Sequence, residues 1–243
     1  MQKYVFETPD LLGQNCAIET SRLLNQAMSE NGSARLVMST GMSQFETIEH
    51  LLGQNVDWTK IEMFHLDEYI GVGSKHPASF VKYLRERFAD KIRLKRAYYI
   101  DGLADPSKVI EELTAEIAKK PIDVALIGIG ENGHIAFNDP PADFGTEESF
   151  IIVDLDDDCK AQQVREGWFA SAKDVPVSAI TMTVHQIMQA KSILSAVPHK
   201  QKADAIKAVL QNPVSPMIPA TILKTHPNWK LYLDAASAGG EVA

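Results

Sequence analysis

Helical and strand patterns alternate along the whole of this 243-residue chain, with short turns between them. No other feature limits the fold as strongly. Strand–helix units in series lay their strands parallel and cover the resulting sheet with helices on both faces. Apolar segments read as strands at Ala34 to Met38, Ile61 to Leu66, Arg96 to Ile100, Ile122 to Ile129, Phe150 to Leu155, Ser192 to Val197 and Lys230 to Leu233. Helices fall between them. Thr8-Pro9-Asp10 starts the first, with proline where its missing N–H costs nothing. Leu11, Leu12, Cys16, Ile18, Leu23, Leu24 and Met28 give that helix its apolar stripe, which ends near Gly32. Helical spacing recurs through Phe45 to Leu52, His76 to Phe88, Pro106 to Ile117 and Lys200 to Leu210. The pattern predicts a Rossmann-like three-layer α/β sandwich, its sheet mostly parallel. No repeat, low-complexity tract or linker divides residues 1–243, which read as a single domain.

The net charge of −8 argues against a nucleic-acid partner, whose recognition rests on clustered Lys and Arg. It leaves room for a small anionic substrate held by a few local cations and amides. Cys16 and Cys159 form no CxxC pair and no disulfide framework, which fits inert thiols in a reducing compartment. The segment Met1 to Glu7 lacks a signal peptide's apolar core, and no run approaches the ~18 apolar residues of a membrane span. The expectation is a soluble cytoplasmic protein with no membrane partner. One sequence shows no interface signature, so a homo-oligomer is left open.

Four stretches could carry chemistry. Gly128-Ile129-Gly130-Glu131-Asn132-Gly133-His134 follows the apolar Val124 to Ile127 run, and Asp139 comes five residues after the histidine. The glycines permit a sharp turn and close approach of other groups. Asp139 could orient the His134 ring and so fix which nitrogen carries the proton. Ser39-Thr40-Gly41-Met42-Ser43, between a strand and a helix, offers hydroxyls and free amides to an anion; the plainer reading is that Ser43 caps the helix. Asp67 and Glu68 end a strand as adjacent carboxylates that alternate in direction, so one could face a cleft while the other is structural. Such a carboxylate could be a proton-transfer base, a metal ligand or a helix cap, and no metal-ligand spacing lies nearby. Lys202, with Lys200, opens a helix and could place a point charge on a phosphate or simply be solvated.

In order and spacing, these pieces resemble the glucosamine-6-phosphate deaminase/isomerase family over nearly the whole chain. The most specific matches are Leu66-Asp67-Glu68-Tyr69 and Gly128 to Pro140, supported by Val175-Pro176, Ala179 to Met182 and Lys202-Ala203. The resemblance implies conversion of glucosamine 6-phosphate and water to fructose 6-phosphate and ammonia, with no metal or organic cofactor. It implies that Asp67 moves a proton between C2 and C1 and that His134 opens the sugar ring. Asp139 and Asn132 would flank the imidazole. Ser39, Thr40, Gly41, Met42 and Ser43, with Gly133 and Lys202, would surround the substrate and its phosphate.

The chain departs from the family pattern in several places. Met42 stands where a second glycine is common, and Asp139 where glutamate is frequent, so its reach to His134 would be shorter. The arginine that commonly joins the phosphate site aligns near Gly167, leaving Arg165 as a shifted substitute. The basic residues of the family's allosteric amino-sugar site have no match around Glu147 to Ile152. Galactosamine 6-phosphate suits the same catalytic parts. A 6-phosphogluconolactonase is the nearest rival, but Tyr69 stands where arginine is usual there, and Phe137-Asn138-Asp139-Pro140 replaces a Ser-Leu-Phe-Pro-like run. A sugar-phosphate-sensing domain is the non-enzymatic alternative.

Overall fold

The computed structural model describes residues 1–165 and 167–240. The single domain read over 1–243 therefore includes residue 166 and residues 241–243, which lie outside the described residues. In chain order the first half comprises β1 (Gln2–Phe6), α1 (Pro9–Asn31), β2 (Ala34–Met38), α2 (Phe45–Leu52), β3 (Ile61–His65), β4 (Asp67–Tyr69), α3 (Phe80–Arg87), β5 (Arg96–Tyr98) and α4 (Pro106–Ile117). The second half comprises β6 (Val124–Leu126), β7 (Phe150–Asp154), α5 (Asp157–Arg165), β8 (Ser178–Met182), α6 (Val184–Met188), β9 (Ser192–Val197), α7 (Ala203–Gln211) and β10 (Trp229–Asp234).

The main sheet has the order β1-β10-β9-β6-β2-β3-β5, and every pairing in it is parallel. Its central strands are buried on both faces, as the continuous apolar runs predict. Leu36, Met38, Met63, Val124 and Leu126 pack with Leu12, Cys16 and Leu24 of α1, Ile48 and Leu51 of α2, and Leu84 of α3. Alternate residues of the same strands, Val37, Phe64 and Ala125, pack with Val109, Leu113 and Ile117 of α4 and with Ile206 and Val209 of α7. Each fully buried Leu, Ile, Val, Met or Phe among them stabilises the fold by roughly 1.5–3 kcal/mol before ordering entropy is subtracted. The first helix is bounded as its sequence indicates. The Thr8 hydroxyl accepts from the Leu11 amide, Pro9 takes the first turn, and Gly32 closes it at φ 74°.

A second sheet was not visible in the sequence pattern. Strands β4, β8 and β7 pair antiparallel, placing Asp67 opposite Thr181 and Phe150 opposite Met182. The Phe150 to Leu155 strand therefore belongs to this small sheet and not to the parallel one. Its burial is one-sided, in keeping with a strand covered on a single face. The Phe80, Phe137 and Phe169 rings surround Tyr69 at centroid distances of 5.0, 5.2 and 5.4 Å. The helix expected over His76 to Phe88 begins only at Phe80. Ser79 is extended and caps it by accepting from the Lys82 amide.

Strand order sets where a ligand fits. From β2 the chain builds outward through β3 and β5, then crosses to β6 and builds the other way through β9 and β10. The reversal lies between β2 and β6, and ligands of open α/β sheets occupy the crevice at the carboxyl ends beside such a reversal. Ser39 leaves the end of β2, and Gly128 closely follows β6.

Candidate active site

A cavity of about 460 Å³ opens at that crevice. Its wall includes Ser39 to Ser43 after β2, Asp67 of β4, Gly128 to Glu131 and His134 after β6, and His199, Gln201 and Lys202 after β9. Residues far apart in sequence thus meet because neighbouring parallel strands end at one edge.

The turn at 39–43 is held from behind. Gly41 adopts φ 101° with ψ 165°, backbone that only glycine takes readily, and its carbonyl accepts from the Tyr83 hydroxyl at 2.7 Å. The Gln44 amide donates to Ser43 Oγ and to the Ala196 carbonyl, pinning the turn to β9. The simple capping role for Ser43 is not what forms. A 3-10 turn, Met42–Gln44, precedes α2, and Gln44 takes the cap position without a side-chain cap bond. Ser39 Oγ is buried and has no partner among the described residues. Among the described lining residues, Lys202 is the one lysine or arginine.

Asp67 and Glu68 divide as strand alternation requires. Asp67 lines the cavity. Burial pushes its carboxyl from 3.8 up to about 8, the negative charges of Glu68 and Asp139 push the same way, and the Phe137 backbone N–H draws it part-way back. Glu68 does not line this cavity. Its carboxylate accepts from the Ser79 hydroxyl at 2.7 Å and from the Val81 amide at 2.9 Å, across the start of α3.

His134 lies against the Gly-rich turn, with its Nδ1 3.1 Å from Asp139 Oδ1. The shorter aspartate does reach the ring. The contact is an ion-pair distance without hydrogen-bond alignment, since Nδ1 and Asp139 Oδ2 both lack hydrogen-bond partners among the described residues. Asn132 braces the pair. Its Oδ1 accepts from the His134 amide at 3.0 Å, and its Nδ2 donates to Asp139 Oδ1 at 3.2 Å. Burial works to raise the Asp139 carboxyl, but the His134 imidazole and the Asn132 amide outweigh it and hold the group below its usual range. The turn is anchored to the small sheet: the Asn138 amide donates to the Met182 carbonyl, and Thr181 Oγ1 accepts from the Phe137 amide. Gly133 adopts φ 84° and packs under Ile218, where a Cβ would stand 2.9 Å from Cγ2; it does not line the cavity.

Arg165 also stands outside the lining. Its Nη2 lies 2.9 Å from Glu131 Oε2, and the side chain is largely exposed. Three lining residues had no signal in the sequence pattern. Glu46 and Gln163 each bring a buried oxygen, Oε2 and Oε1, with no partner among the described residues. His199 adopts φ 80° with ψ 146°, which costs a residue bearing a Cβ about 1–3 kcal/mol. No group of three or more His, Cys, Asp or Glu among the described residues is placed to hold a metal ion. No helix among them is long and apolar enough to cross a membrane. The cavity thus combines a carboxylate whose basicity is tuned near neutrality, a braced imidazole, and a hydroxyl- and amide-rich turn near a lysine. Such a set can move protons on carbon and oxygen while an anionic group is held nearby.

The model of the glucosamine-6-phosphate isomerase/6-phosphogluconolactonase family matches residues 7–231. The glucosamine-6-phosphate deaminase of Streptococcus thermophilus is 34% identical over 217 residues, 89% of this chain and 91% of the relative. The glucosamine-6-phosphate deaminase of Oenococcus oeni is 34% identical over 218 residues, covering 89% and 90%. A solved monomeric glucosamine-6-phosphate deaminase superposes with a TM-score of 0.90 at 28% identity, covering 99% of this chain and 100% of that one. A solved 6-phosphogluconolactonase-like protein from Neisseria gonorrhoeae shares the fold, with a TM-score of 0.78 at 20% identity over 96% and 99% of the chains.

Proposed function

The chain belongs to the glucosamine-6-phosphate isomerase/6-phosphogluconolactonase family, and within it we propose that this protein converts glucosamine 6-phosphate and water to fructose 6-phosphate and ammonia, in the cytoplasm. The observation that carries this reading is the meeting of Asp67, His134, the 39–43 turn and Lys202 on the wall of one cavity.

In this reading the phosphate sits against the 39–43 turn and Lys202, and the bound end positions the reacting carbons. His134 transfers a proton at the ring oxygen, and the pyranose opens to the aldehyde. Asp67 as carboxylate takes the C2 proton, giving an enolamine, and returns it to C1. The iminium left at C2 adds water and expels ammonia, leaving the ketose phosphate. A base must be unprotonated to act yet basic enough to take a carbon-bound proton, and a carboxyl near neutrality meets both demands better than an ordinary one. Asn132 and Asp139 serve by holding the imidazole.

The test is to incubate the protein with glucosamine 6-phosphate and measure ammonia and fructose 6-phosphate in equal amounts. Galactosamine 6-phosphate in a parallel assay reads sugar preference. No ammonia from either sugar, together with hydrolysis of 6-phosphogluconolactone, overturns the proposal.

A further inference from the structure

His199 lines the cavity from a strained backbone. Its backbone, φ 80° and ψ 146°, lies where glycine rests without strain and any residue with a Cβ does not. The surrounding structure enforces that conformation. The His199 amide donates to Asp234 Oδ1 at 3.1 Å, and Asp234 is itself buried at the end of β10 and accepts from the Ser237 amide at 2.8 Å. On the other side, the His199 carbonyl accepts from the Lys202 amide at 3.0 Å, which begins the 3-10 turn leading to α7. The loop therefore needs this backbone shape, and glycine would supply it at lower energy.

The residue carrying the strain is nevertheless a histidine, half-buried in the wall of the cavity that Lys202 and the 39–43 turn also line. The lysine supplies one flexible ammonium, whereas a phosphomonoester presents three terminal oxygens that each accept hydrogen bonds. A ring N–H held by a rigid loop is a directional donor that a glycine could not provide. We propose that the His199 imidazole donates to the phosphate of the bound substrate, so that strain in the loop is tolerated for the sake of the side chain. This rests on the sugar-phosphate reading of the cavity given above.

Two variants separate the imidazole from the strain. His199→Gly removes both, while His199→Ala removes the ring and keeps the strain. Binding of 2-deoxyglucose 6-phosphate, which has no amine to lose, and of inorganic phosphate is measured by calorimetry, and thermal unfolding is recorded beside it. Both variants are expected to weaken both ligands by about 10- to 150-fold, the loss of one hydrogen bond to a charged group. His199→Gly alone should raise the Tm, by about 2–4 °C. Unchanged affinity in either variant overturns the proposal, as does weaker sugar-phosphate binding with unchanged phosphate binding. A wild type that binds phosphate monoester but releases no ammonia counts against the deaminase reading and leaves His199 standing. A wild type that binds neither ligand overturns both.

Discussion

Gly130 and His134 are pressed together: a Cβ on Gly130 would stand 2.2 Å from Cε1, 2.3 Å from Nε2 and 2.5 Å from Nδ1 of the imidazole. The second glycine of the turn is therefore required by the ring that follows it, not by an unusual φ. Gly130→Ala should displace the imidazole from Asp139 and from the cavity. A shift of that kind lowers kcat by about 100-fold, and overpacking lowers stability by about 1–3 kcal/mol. Steady-state assays and thermal unfolding read both effects. A variant keeping more than a tenth of wild-type kcat would mean that the ring position does not matter to the reaction.

Asp67→Asn should separate activity from stability. Burial and two negative neighbours lift its carboxyl from 3.8 to about 8, so the folded protein holds this proton more tightly than the unfolded chain does. The stability that comes with the protonated form is complete below about pH 4 and is lost as pH rises through about 8. Asparagine, which stays neutral, escapes that loss. The variant should match the wild type in acid and exceed it at pH 9 by several kcal/mol, on the order of 5, while kcat falls by 10²–10⁴-fold. Denaturant titrations at pH 4 and 9 check the sign, and equal stability at both would show that Asp67 ionises without penalty.

Asp139 acts on both partners, since its charge raises the Asp67 carboxyl and its Oδ1 lies 3.1 Å from the His134 ring. Asp139→Asn removes the charge. Asp67 should then ionise at lower pH, and the rising limb of kcat/KM should move to lower pH with it. The plateau should fall by about tenfold or more, because the imidazole loses its stabilising anion. A pH profile of kcat/KM separates the two effects, and an unmoved limb would place that ionisation elsewhere.

Local chemistry made much of this legible in the sequence. Apolar runs marked the central parallel strands because those strands are buried on both faces, whereas the exposed edge strand β1 carried no such run and went unmarked; the Thr8 and Gly32 signals bounded α1 because caps are local. His134, Asp67 and the 39–43 turn stood out because each follows a strand end. The β4-β8-β7 sheet did not stand out, since β4 has only three residues and Asp67 meets Thr181 across more than a hundred positions. Gln163 was equally hidden. It lies on a helix with little apolar stripe, and only the folded chain brings its amide to the cavity. His199 needed the backbone angle itself, which no residue type other than glycine would have suggested.

Glu68 shows how a carboxylate beside the site can serve without touching substrate. Its Oε1 accepts from the Tyr69 and Phe80 amides and its Oε2 from Ser79 Oγ and the Val81 amide, fastening β4 to the N-terminal end of α3. Glu68→Gln puts an NH₂ where one of those acceptors stood, opposing at least one buried donor, and should lower stability by about 1–3 kcal/mol. It also removes the negative charge that, of the two, raises Asp67 the more. The rising limb of kcat/KM should therefore move to lower pH, while the plateau stays within about threefold of wild type because no reacting group is lost. Thermal unfolding and a pH profile on the same preparation test this. A plateau reduced 100-fold in a folded variant would place Glu68 in the chemistry itself, whereas a shifted limb on a preserved plateau fits a brace whose charge sets the basicity of its neighbour.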